Sequence, residues 1–226
     1  MILPMDKPIG FIFDLDGVLA DTVELHYRAW KQIAAQINVP FTREDMNGFL
    51  GRRRRDCLLD LLGDQQIADA DLQALLERKD QLYQAELDAV NPVDVVLPGV
   101  FEFVDAARAK EIRLGVASSS ANARQLLEKT GLITRMRAVA DGFTVKRSKP
   151  APDIFIWVAG ALQVRPAQAV VFEDSQAGVA AARTAGMVVV GIGDEARSAN
   201  PDLTVSSIQS LNVDEILALP LESING

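Results

Sequence analysis

Short apolar runs alternate with helix-forming segments along most of the chain. Four such runs lie at residues 9–13, 112–117, 169–172 and 187–191. They are too short and too uniformly apolar for amphipathic helices, and such runs are typical of parallel strands buried on both faces of a sheet. Helical patterns follow at residues 100–110, 121–130, 152–162 and 175–185. The alternation predicts an α/β fold with a Rossmann-like, doubly wound parallel sheet, to which the tail adds a strand near 203–205 and a helix near 213–219.

The segment from residue 22 to residue 96 interrupts this alternation. It contains helix-forming sequence such as ELHYRAWKQIAAQI and DLQALLERKDQLYQAEL, and no convincing strand pattern. Because it follows the first predicted strand, we expect it to lie above the carboxyl edge of the sheet, where open α/β sheets bind ligands. We therefore predict an α/β core domain of residues 1–21 and 97–226 with an inserted helical cap domain of residues 22–96.

Composition narrows the class of protein. The chain has 226 residues, a net charge of -8 and one cysteine, Cys57. The negative charge argues against broad nucleic-acid binding, and the single cysteine fits a reducing compartment. No window approaches the roughly 18 apolar residues of a membrane span, and the start of the chain lacks the pattern of a signal peptide. We expect a cytoplasmic monomer with no nucleic-acid or membrane partner.

Two acidic pairs follow predicted strands. Asp14 and Asp16, in FDLDGV, end the first strand, and Glu173 with Asp174 follows AVVF. Residues i and i+2 at a strand end project to the same side, and parallel strands bring their carboxyl ends to one edge of the sheet. Carboxylates crowded there need a cation. With oxygen ligands and no cysteine or histidine cluster nearby, the sequence predicts a Mg²⁺ site.

Two further strand ends carry groups suited to a phosphate. Ser118, in ASSSAN, follows the strand IRLGV and lies near a helix start, where hydroxyl and amide groups donate to phosphate oxygens. Lys149, in SKPAPD, supplies a positive charge just before a helix that a proline opens. Together with the acidic pairs, these groups predict phosphoryl transfer with a carboxylate nucleophile.

Each of these features also has a purely structural interpretation. Asp14 and Asp16 suit a turn or a helix cap, Ser175 is expected to cap the next helix, and a lone histidine such as His26 is commonly an unremarkable surface residue. The sequence GIGDEA at 191–196 matches the spelling of a dinucleotide motif, but the short tail after it holds no clear strand–helix–strand unit. We therefore set a dinucleotide site aside.

Taken in order, DLDGV, the serine after the second strand, SKPAPD and EDSQAG resemble the motifs of the haloacid dehalogenase superfamily over nearly the whole chain. FDLDGVLADTVELHYRAW is similar to the β-phosphoglucomutase group, whose helical cap follows the first strand. The resemblance implies that Asp14 is the nucleophile that becomes an aspartyl phosphate. Asp16 would be general acid and then general base, and its presence disfavours carbon–halogen cleavage.

The same resemblance implies the ligands of the metal and of the phosphate. Mg²⁺ would be held by the Asp14 side chain, the Asp16 carbonyl and Asp174, with Glu173 beside it. Ser118 and Lys149 would bind the transferring phosphoryl group.

In the cap, the resemblance implies a glycine–arginine patch that grips a second phosphate. Gly51 and Arg54, in FLGRRRRDCL, fall on that pattern, although Leu50 and Cys57 stand where a lysine and a serine are expected. Consecutive helical residues fan out by about 100°, so at most two of the four arginines at 52–55 can face one cleft. The other positions implied to contact substrate or to assist closure are His26, Lys79, Ser120 and Asn122.

These observations lead to three functional hypotheses. The first is a Mg²⁺-dependent β-phosphoglucomutase, which converts β-glucose 1-phosphate to glucose 6-phosphate through the 1,6-bisphosphate. The second is a sugar-phosphate phosphatase, which releases the aspartyl phosphate to water. The third is a non-enzymatic phosphate-binding module, against which the intact Asp14 and Asp16 argue. In both enzyme hypotheses the partner is a small sugar phosphate.

Overall fold

A single parallel sheet of six strands forms the centre of the computed structural model, which describes residues 9–219. The strands are β1 (Gly10–Phe13), β2 (Arg113–Ala117), β3 (Ala138–Ala140), β4 (Ala169–Glu173), β5 (Val188–Ile192) and β6 (Leu203–Val205). Their order across the sheet is β3-β2-β1-β4-β5-β6, and every pairing is parallel. The predicted doubly wound α/β fold is confirmed.

Ten α-helices accompany the strands within the described residues. They are α1 (Val23–Gln36), α2 (Arg43–Asn47), α3 (Arg54–Leu62), α4 (Asp69–Asp88), α5 (Val100–Ala109), α6 (Ala123–Lys129), α7 (Asp153–Leu162), α8 (Gln176–Thr184), α9 (Gly193–Ser198) and α10 (Val213–Leu217). Short 3-10 helices lie at Pro92–Val95, Leu132–Arg135, Pro166–Gln168 and Ile208–Ser210. Between residues 9 and 219, no helix is both long and apolar enough to cross a lipid bilayer.

The predicted strands and core helices are present, but two elements were missed. Strand β3 has only three residues, and the charged residues around it, Arg135 and Arg137 before it and Asp141 after it, hide it from a search for apolar runs. Helix α9 opens the tail, so that β5, α9 and β6 form a short strand–helix–strand unit. The expectation that the tail holds no such unit was therefore wrong, and GIGDEA contributes the end of β5 and the start of α9.

The sheet is buried on both faces because successive side chains of a strand point to opposite sides. In β1, Phe11 and Phe13 belong to one apolar cluster and Ile12 to the other, and all three are inaccessible to solvent. Phe13 stacks on Phe172 of β4 with ring centroids 4.7 Å apart. Burial of one such side chain contributes about 1.5–3 kcal/mol, so the residues around β1 hold the strand ends in fixed positions.

Helices α1 to α4 make up most of residues 22–96, which we call the cap segment, and α1 packs against α4. The chain enters and leaves this segment side by side. The amide of Asp21 donates to the carbonyl of Val95 at 2.7 Å, and the amide of Leu97 donates to the carbonyl of Leu19 at 3.1 Å. The division into core and cap domains stays a prediction, and residues 1–8 and 220–226 of the predicted core lie outside the described residues.

Candidate active site

The loop after β1 places the two predicted aspartates at the carboxyl edge of the sheet. The amide of Asp14 donates to the carbonyl of Phe172 at 2.9 Å, which continues the pairing with β4. Gly17 then turns the chain with a φ of +86°, a conformation that residues with a side chain rarely adopt. Asp14 and Asp16 line the same cavity, between the sheet edge and the cap segment. The expectation that they face one small volume is met.

Lys149 lies between two carboxylates beneath this cavity. Its ammonium group contacts Asp14 Oδ1 and Glu173 Oε1, and its side chain is inaccessible to solvent. Burial alone would lower the pKa of Lys149, but the two carboxylates outweigh it and raise that pKa above its usual range. The lysine is therefore a permanent cation at the point where the sequence predicts a transferring phosphoryl group.

The acidic side chains around Lys149 carry more negative charge than one ammonium group balances. Burial is the largest influence on Asp14 and raises its pKa to about 7, and the repulsion of Glu173 and Asp16 adds to it. The pKa of Asp174 is raised well above its usual value, chiefly by burial and then by Glu173. Buried carboxylates of this kind are relieved by a cation held through oxygen ligands, and the donor set therefore fits Mg²⁺.

The geometry around Gly17 supports that fit. A β-carbon on Gly17 would lie 2.0 Å from Oδ2 of Asp174, so the Asp174 carboxylate sits directly against the turn that contains Asp16. Within residues 9–219, no three His, Cys, Asp or Glu side chains already form a metal cluster. The implied site has only two such side chains, Asp14 and Asp174, because its third ligand is the backbone carbonyl of Asp16. The implied metal ligands therefore stay a prediction.

Glu173 is fixed by the start of α8. Its Oε2 accepts hydrogen bonds from the Ser175 amide at 2.9 Å and the Ser175 hydroxyl at 3.0 Å. The same hydroxyl accepts from the Gly178 amide at 3.1 Å, so Ser175 caps the helix as expected. Glu173 therefore holds Lys149 from a fixed position, while the same ammonium group contacts Asp14.

Asp16 has a different environment from Asp14. Its Oδ1 accepts from the Thr22 hydroxyl and lies 3.6 Å from Nε2 of His26, and its Oδ2 accepts from the Ser118 hydroxyl at 3.4 Å. Burial alone would raise the pKa of Asp16, but His26 and Thr22 outweigh it and hold that pKa below its usual value. The two aspartates are thus pushed apart in acidity, and a cation bound beside Asp14 would be needed to keep that carboxylate ionised as a nucleophile.

Lys79 supports Asp16 from the cap segment through His26. Its ammonium nitrogen is 2.9 Å from Nδ1 of His26 and lies over the rings of Trp30 and Tyr83, at 5.3 and 5.2 Å from their centroids. Burial lowers the pKa of Lys79 to about 8, and Asp16 acts in the opposite direction. Because an ammonium group only donates, Nδ1 of His26 accepts, and the proton of the neutral ring is on Nε2, facing Asp16.

The cap side of the cavity carries the predicted glycine and arginine. Gly51 and Arg54 line it, as does Arg52, whereas Arg55 is exposed. Two of the four arginines therefore line the cleft, but only Arg54 and Arg55 belong to α3, so the expectation from helix geometry does not apply to Arg52. Arg52 is held by Asp60 at 2.7 Å, while the guanidinium of Arg54 lies 5.0 Å above the ring of Phe143.

Leu50 and Cys57, the two departures from the expected pattern, also line the cavity. Burial raises the pKa of Cys57 to about 12, so its thiol stays protonated at neutral pH. Ser120 and Asn122 line the opposite wall, on the core. All ten predicted catalytic and substrate-binding residues lie in or directly beneath this one cavity.

Several hydrogen bonds join the cap segment to the core around the cavity. The Ser119 hydroxyl donates to the Gly51 carbonyl at 2.6 Å, Gln84 Nε2 donates to Asn122 Oδ1 at 2.8 Å, and the Ser148 hydroxyl donates to Asp56 at 3.0 Å. The space they enclose has a volume of about 50 Å³. This is far below the roughly 300 Å³ of the smaller ligand pockets, so the structure represents a closed cap.

Sequence reasoning missed several residues of the site. Tyr83 stands four residues after Lys79 on α4, and this spacing puts the two side chains on one helix face, a signal that was available. Ser119, Asp80 and Phe143 gave no such signal, because their contacts join segments far apart in the chain.

Comparison with known proteins agrees with the motifs. The family model for haloacid dehalogenase-like hydrolases matches residues 11–192. The chain belongs to that family. The haloacid dehalogenase fold, with the cap segment inserted after its first strand, accounts for the way Asp14, Ser118, Lys149 and Asp174 meet at one sheet edge.

Individual members of the family include both mutases and phosphatases. The β-phosphoglucomutase of Bacillus subtilis is 37% identical over 207 residues, which are 90% of this chain and 91% of the relative. The fructose-1-phosphate phosphatase YqaB of Escherichia coli is 34% identical, covering 83% of this chain and 97% of the relative. The crystal structure of β-phosphoglucomutase from Clostridium difficile superposes with a TM-score of 0.88 at 29% identity, over 92% of this chain and 95% of that one. The chain is thus a haloacid dehalogenase-type enzyme with sugar-phosphate mutases and phosphatases as relatives.

Proposed function

We propose that the chain is a Mg²⁺-dependent β-phosphoglucomutase, which interconverts β-glucose 1-phosphate and glucose 6-phosphate through the 1,6-bisphosphate. The observation that carries the proposal is that the cationic Arg54 of the cap segment lines the same cavity as Asp14 and Asp16. A mutase substrate carries one phosphate to be transferred and, in the intermediate, a second one to be held. The similarity to two β-phosphoglucomutases along nearly the whole chain supports the same conclusion.

In the proposed cycle, the phosphoryl group on Asp14 passes to the 6-hydroxyl of β-glucose 1-phosphate. Asp16 removes the proton of that hydroxyl, and its lowered pKa keeps the carboxylate ionised and able to accept it. After the bisphosphate has turned end for end, its 1-phosphoryl group passes to Asp14, and Asp16 returns the proton to the leaving oxygen. The product released is glucose 6-phosphate, and the phosphoenzyme and the carboxylate of Asp16 are both regenerated.

The residues around Asp14 have distinct tasks in both transfers. Lys149 would hold a positive charge beside the transferring group, and the Ser118 hydroxyl, which lies 3.4 Å from Oδ2 of Asp16, would donate to it. Asp14, the carbonyl of Asp16 and Asp174 would hold Mg²⁺, which supplies positive charge to the phosphoryl oxygens when bound. The closed cap segment excludes water, which would otherwise hydrolyse the aspartyl phosphate.

A phosphatase is the second candidate, and a specific observation favours it. Leu50 and Cys57 give the cap side of the cavity an apolar thiol-bearing wall where the mutase pattern has polar side chains. Weaker attachment of the second phosphate would let the bisphosphate escape and the aspartyl phosphate react with water. The similarity to a fructose-1-phosphate phosphatase is consistent with this alternative.

A paired assay separates the two activities. The enzyme is supplied with β-glucose 1-phosphate, Mg²⁺ and a trace of the 1,6-bisphosphate, and glucose 6-phosphate and free phosphate are followed together. We expect glucose 6-phosphate to form without stoichiometric phosphate. Free phosphate without glucose 6-phosphate would establish the phosphatase instead. Formation of neither product would exclude β-glucose 1-phosphate as the substrate.

The small volume of the closed cavity leads to a prediction about motion. A hexose phosphate cannot enter about 50 Å³, so the cap segment must open and then close over the substrate. Small-angle scattering should show a smaller radius of gyration when Mg²⁺, glucose 6-phosphate and aluminium fluoride, which mimics the transferring group, are added together. Glucose and aluminium fluoride without the sugar's phosphate serve as the control. An unchanged radius in the complete mixture would contradict closure.

A further inference from the structure

Asp80 lies in the cavity beside the arginine proposed to hold the second phosphate. It follows Lys79 on α4, and its Oδ2 contacts the guanidinium group of Arg54. Both side chains are largely shielded from solvent, with 21% and 23% of the surfaces of Arg54 and Asp80 exposed, and both line the cavity that contains Asp14 and Asp16. No motif in the sequence pointed to this acidic residue.

The guanidinium group meets only one oxygen of the carboxylate. Nη1 of Arg54 contacts Oδ2 of Asp80, whereas Oδ1 of Asp80 is buried and has no hydrogen bond partner among the described residues. A guanidinium group binds carboxylates and phosphates through the same planar set of donors. Asp80 therefore occupies part of the binding face of Arg54 through one oxygen, and an anion that binds two guanidinium nitrogens at once can compete with it.

The other charged groups near this end of the cavity are already committed. The ammonium group of Lys79 is bonded to His26 at 2.9 Å, and Arg52 is bonded to Asp60 at 2.7 Å and to the Gly48 carbonyl at 3.2 Å. Glu77 is exposed one turn before Asp80 on α4, and its charge acts on Arg54 through space. Arg54 also lines the cavity, and its charged partner there is Asp80, so Asp80 would compete directly with a phosphate for Arg54.

We propose that Asp80 is a specificity-determining residue that competes with the ligand's second phosphate for Arg54. The identity of that ligand as a sugar bisphosphate rests on the proposed mutase function. The competition weakens the hold on a bisphosphate, whose two ends must exchange places in each cycle. When one phosphate leaves Arg54, Asp80 takes the guanidinium back, and the intermediate is free to turn.

Titration calorimetry with inorganic phosphate tests the competition without any sugar. The Mg²⁺-loaded wild type and the variant Asp80→Asn are titrated, and the variant should bind phosphate at the cap site about tenfold more tightly. Adding Arg54→Ala to the variant should abolish that gain. Asp80→Ser, which removes the same charge with a smaller side chain, should reproduce it, and thermal unfolding confirms that each variant is folded. Unchanged or weaker phosphate binding in both Asp80 variants would overturn the proposal.

Kinetics supply the second readout and a matched control. For β-glucose 1-phosphate, Asp80→Asn should lower KM by about tenfold and lower kcat, because the bisphosphate is released from Arg54 more slowly. Glu77→Gln removes the same charge at an exposed position on the same helix, and it should change neither constant by more than about twofold. Equal effects of the two substitutions would show a general electrostatic influence and overturn the specific role. If wild type converts no glucose phosphate, the mutase proposal fails, and the phosphate titration still decides the role of Asp80.

Discussion

Replacing Asp14 by asparagine is expected to reduce turnover of sugar phosphates by about 10⁴-fold or more, since an amide cannot form the acyl phosphate on which both enzyme hypotheses depend. The effect should appear in kcat, and radiolabelled phosphate from a phosphoryl donor should no longer be retained by the denatured protein. Asp21→Asn is the matched control, because Asp21 is an exposed aspartate in the same segment. It should keep both activity and labelling.

The stability of the metal-free variant should not fall with its activity. Burial raises the pKa of Asp14 to about 7, so the folded protein favours the protonated carboxyl. A group whose folded pKa is raised in this way costs stability as the pH rises above its unfolded pKa. Asparagine removes that cost, and at pH 8 the metal-free variant should unfold at the same temperature as wild type or a higher one. Retained turnover would exclude Asp14 as the nucleophile, and a large loss of stability would refute the assigned electrostatics.

Replacing Asp16 by asparagine is expected to slow transfer to and from sugar hydroxyls by about 10²–10⁴-fold, because proton transfer at the sugar oxygen is lost. The expected loss depends on the leaving group. Phosphorylation of Asp14 by acetyl phosphate, whose leaving group needs no proton, should fall by less than about tenfold. Rapid-quench measurement of the labelled enzyme with each donor gives the two rates.

A second substitution tests whether the effect belongs to proton transfer. His26→Asn removes the ring that faces Asp16 and separates it from Lys79, but leaves the Asp16 carboxylate in place. It should shift the acidic limb of the pH–rate profile to higher pH, because the interactions of His26 that lower the pKa of Asp16 are lost. Equal loss with acetyl phosphate and with sugar phosphate in Asp16→Asn would assign Asp16 to positioning alone.

The sheet and the catalytic edge could be predicted because both follow from local rules. A run such as GFIF, buried on both faces, is recognisable without knowledge of its neighbours, and parallel strands bring Asp14, Ser118 and Asp174 to one edge whatever the details of packing. Lys149 reaches the same edge from the connection between β3 and α7. Strand β3 could not be predicted, because it depends on a neighbouring strand and not on its own sequence. With three residues and charged neighbours, it becomes a strand only because β2 offers it a hydrogen-bonding edge.

The environment of the site could not be predicted from the sequence. The acidity of Asp16 depends on Thr22 and His26, which are near in the chain, but the tautomer of His26 depends on Lys79, which is 53 residues away. The pairing of Arg54 with Asp80 depends on how α3 and α4 pack, and neither helix specifies that alone. Local sequence thus predicted which groups are present, and the tertiary fold decided how each one is charged.

The paired crossings between core and cap segment, at Asp21 with Val95 and at Leu19 with Leu97, have a consequence for evolution and engineering. An insert whose two ends lie this close can be exchanged for another without altering the register of the six strands. Such an exchange replaces Arg54, Lys79 and Asp80 together and keeps Asp14, Ser118 and Lys149. Substrate specificity and phosphoryl chemistry can therefore evolve separately in this fold. A chimera joined at these two points can acquire a new substrate in one recombination event.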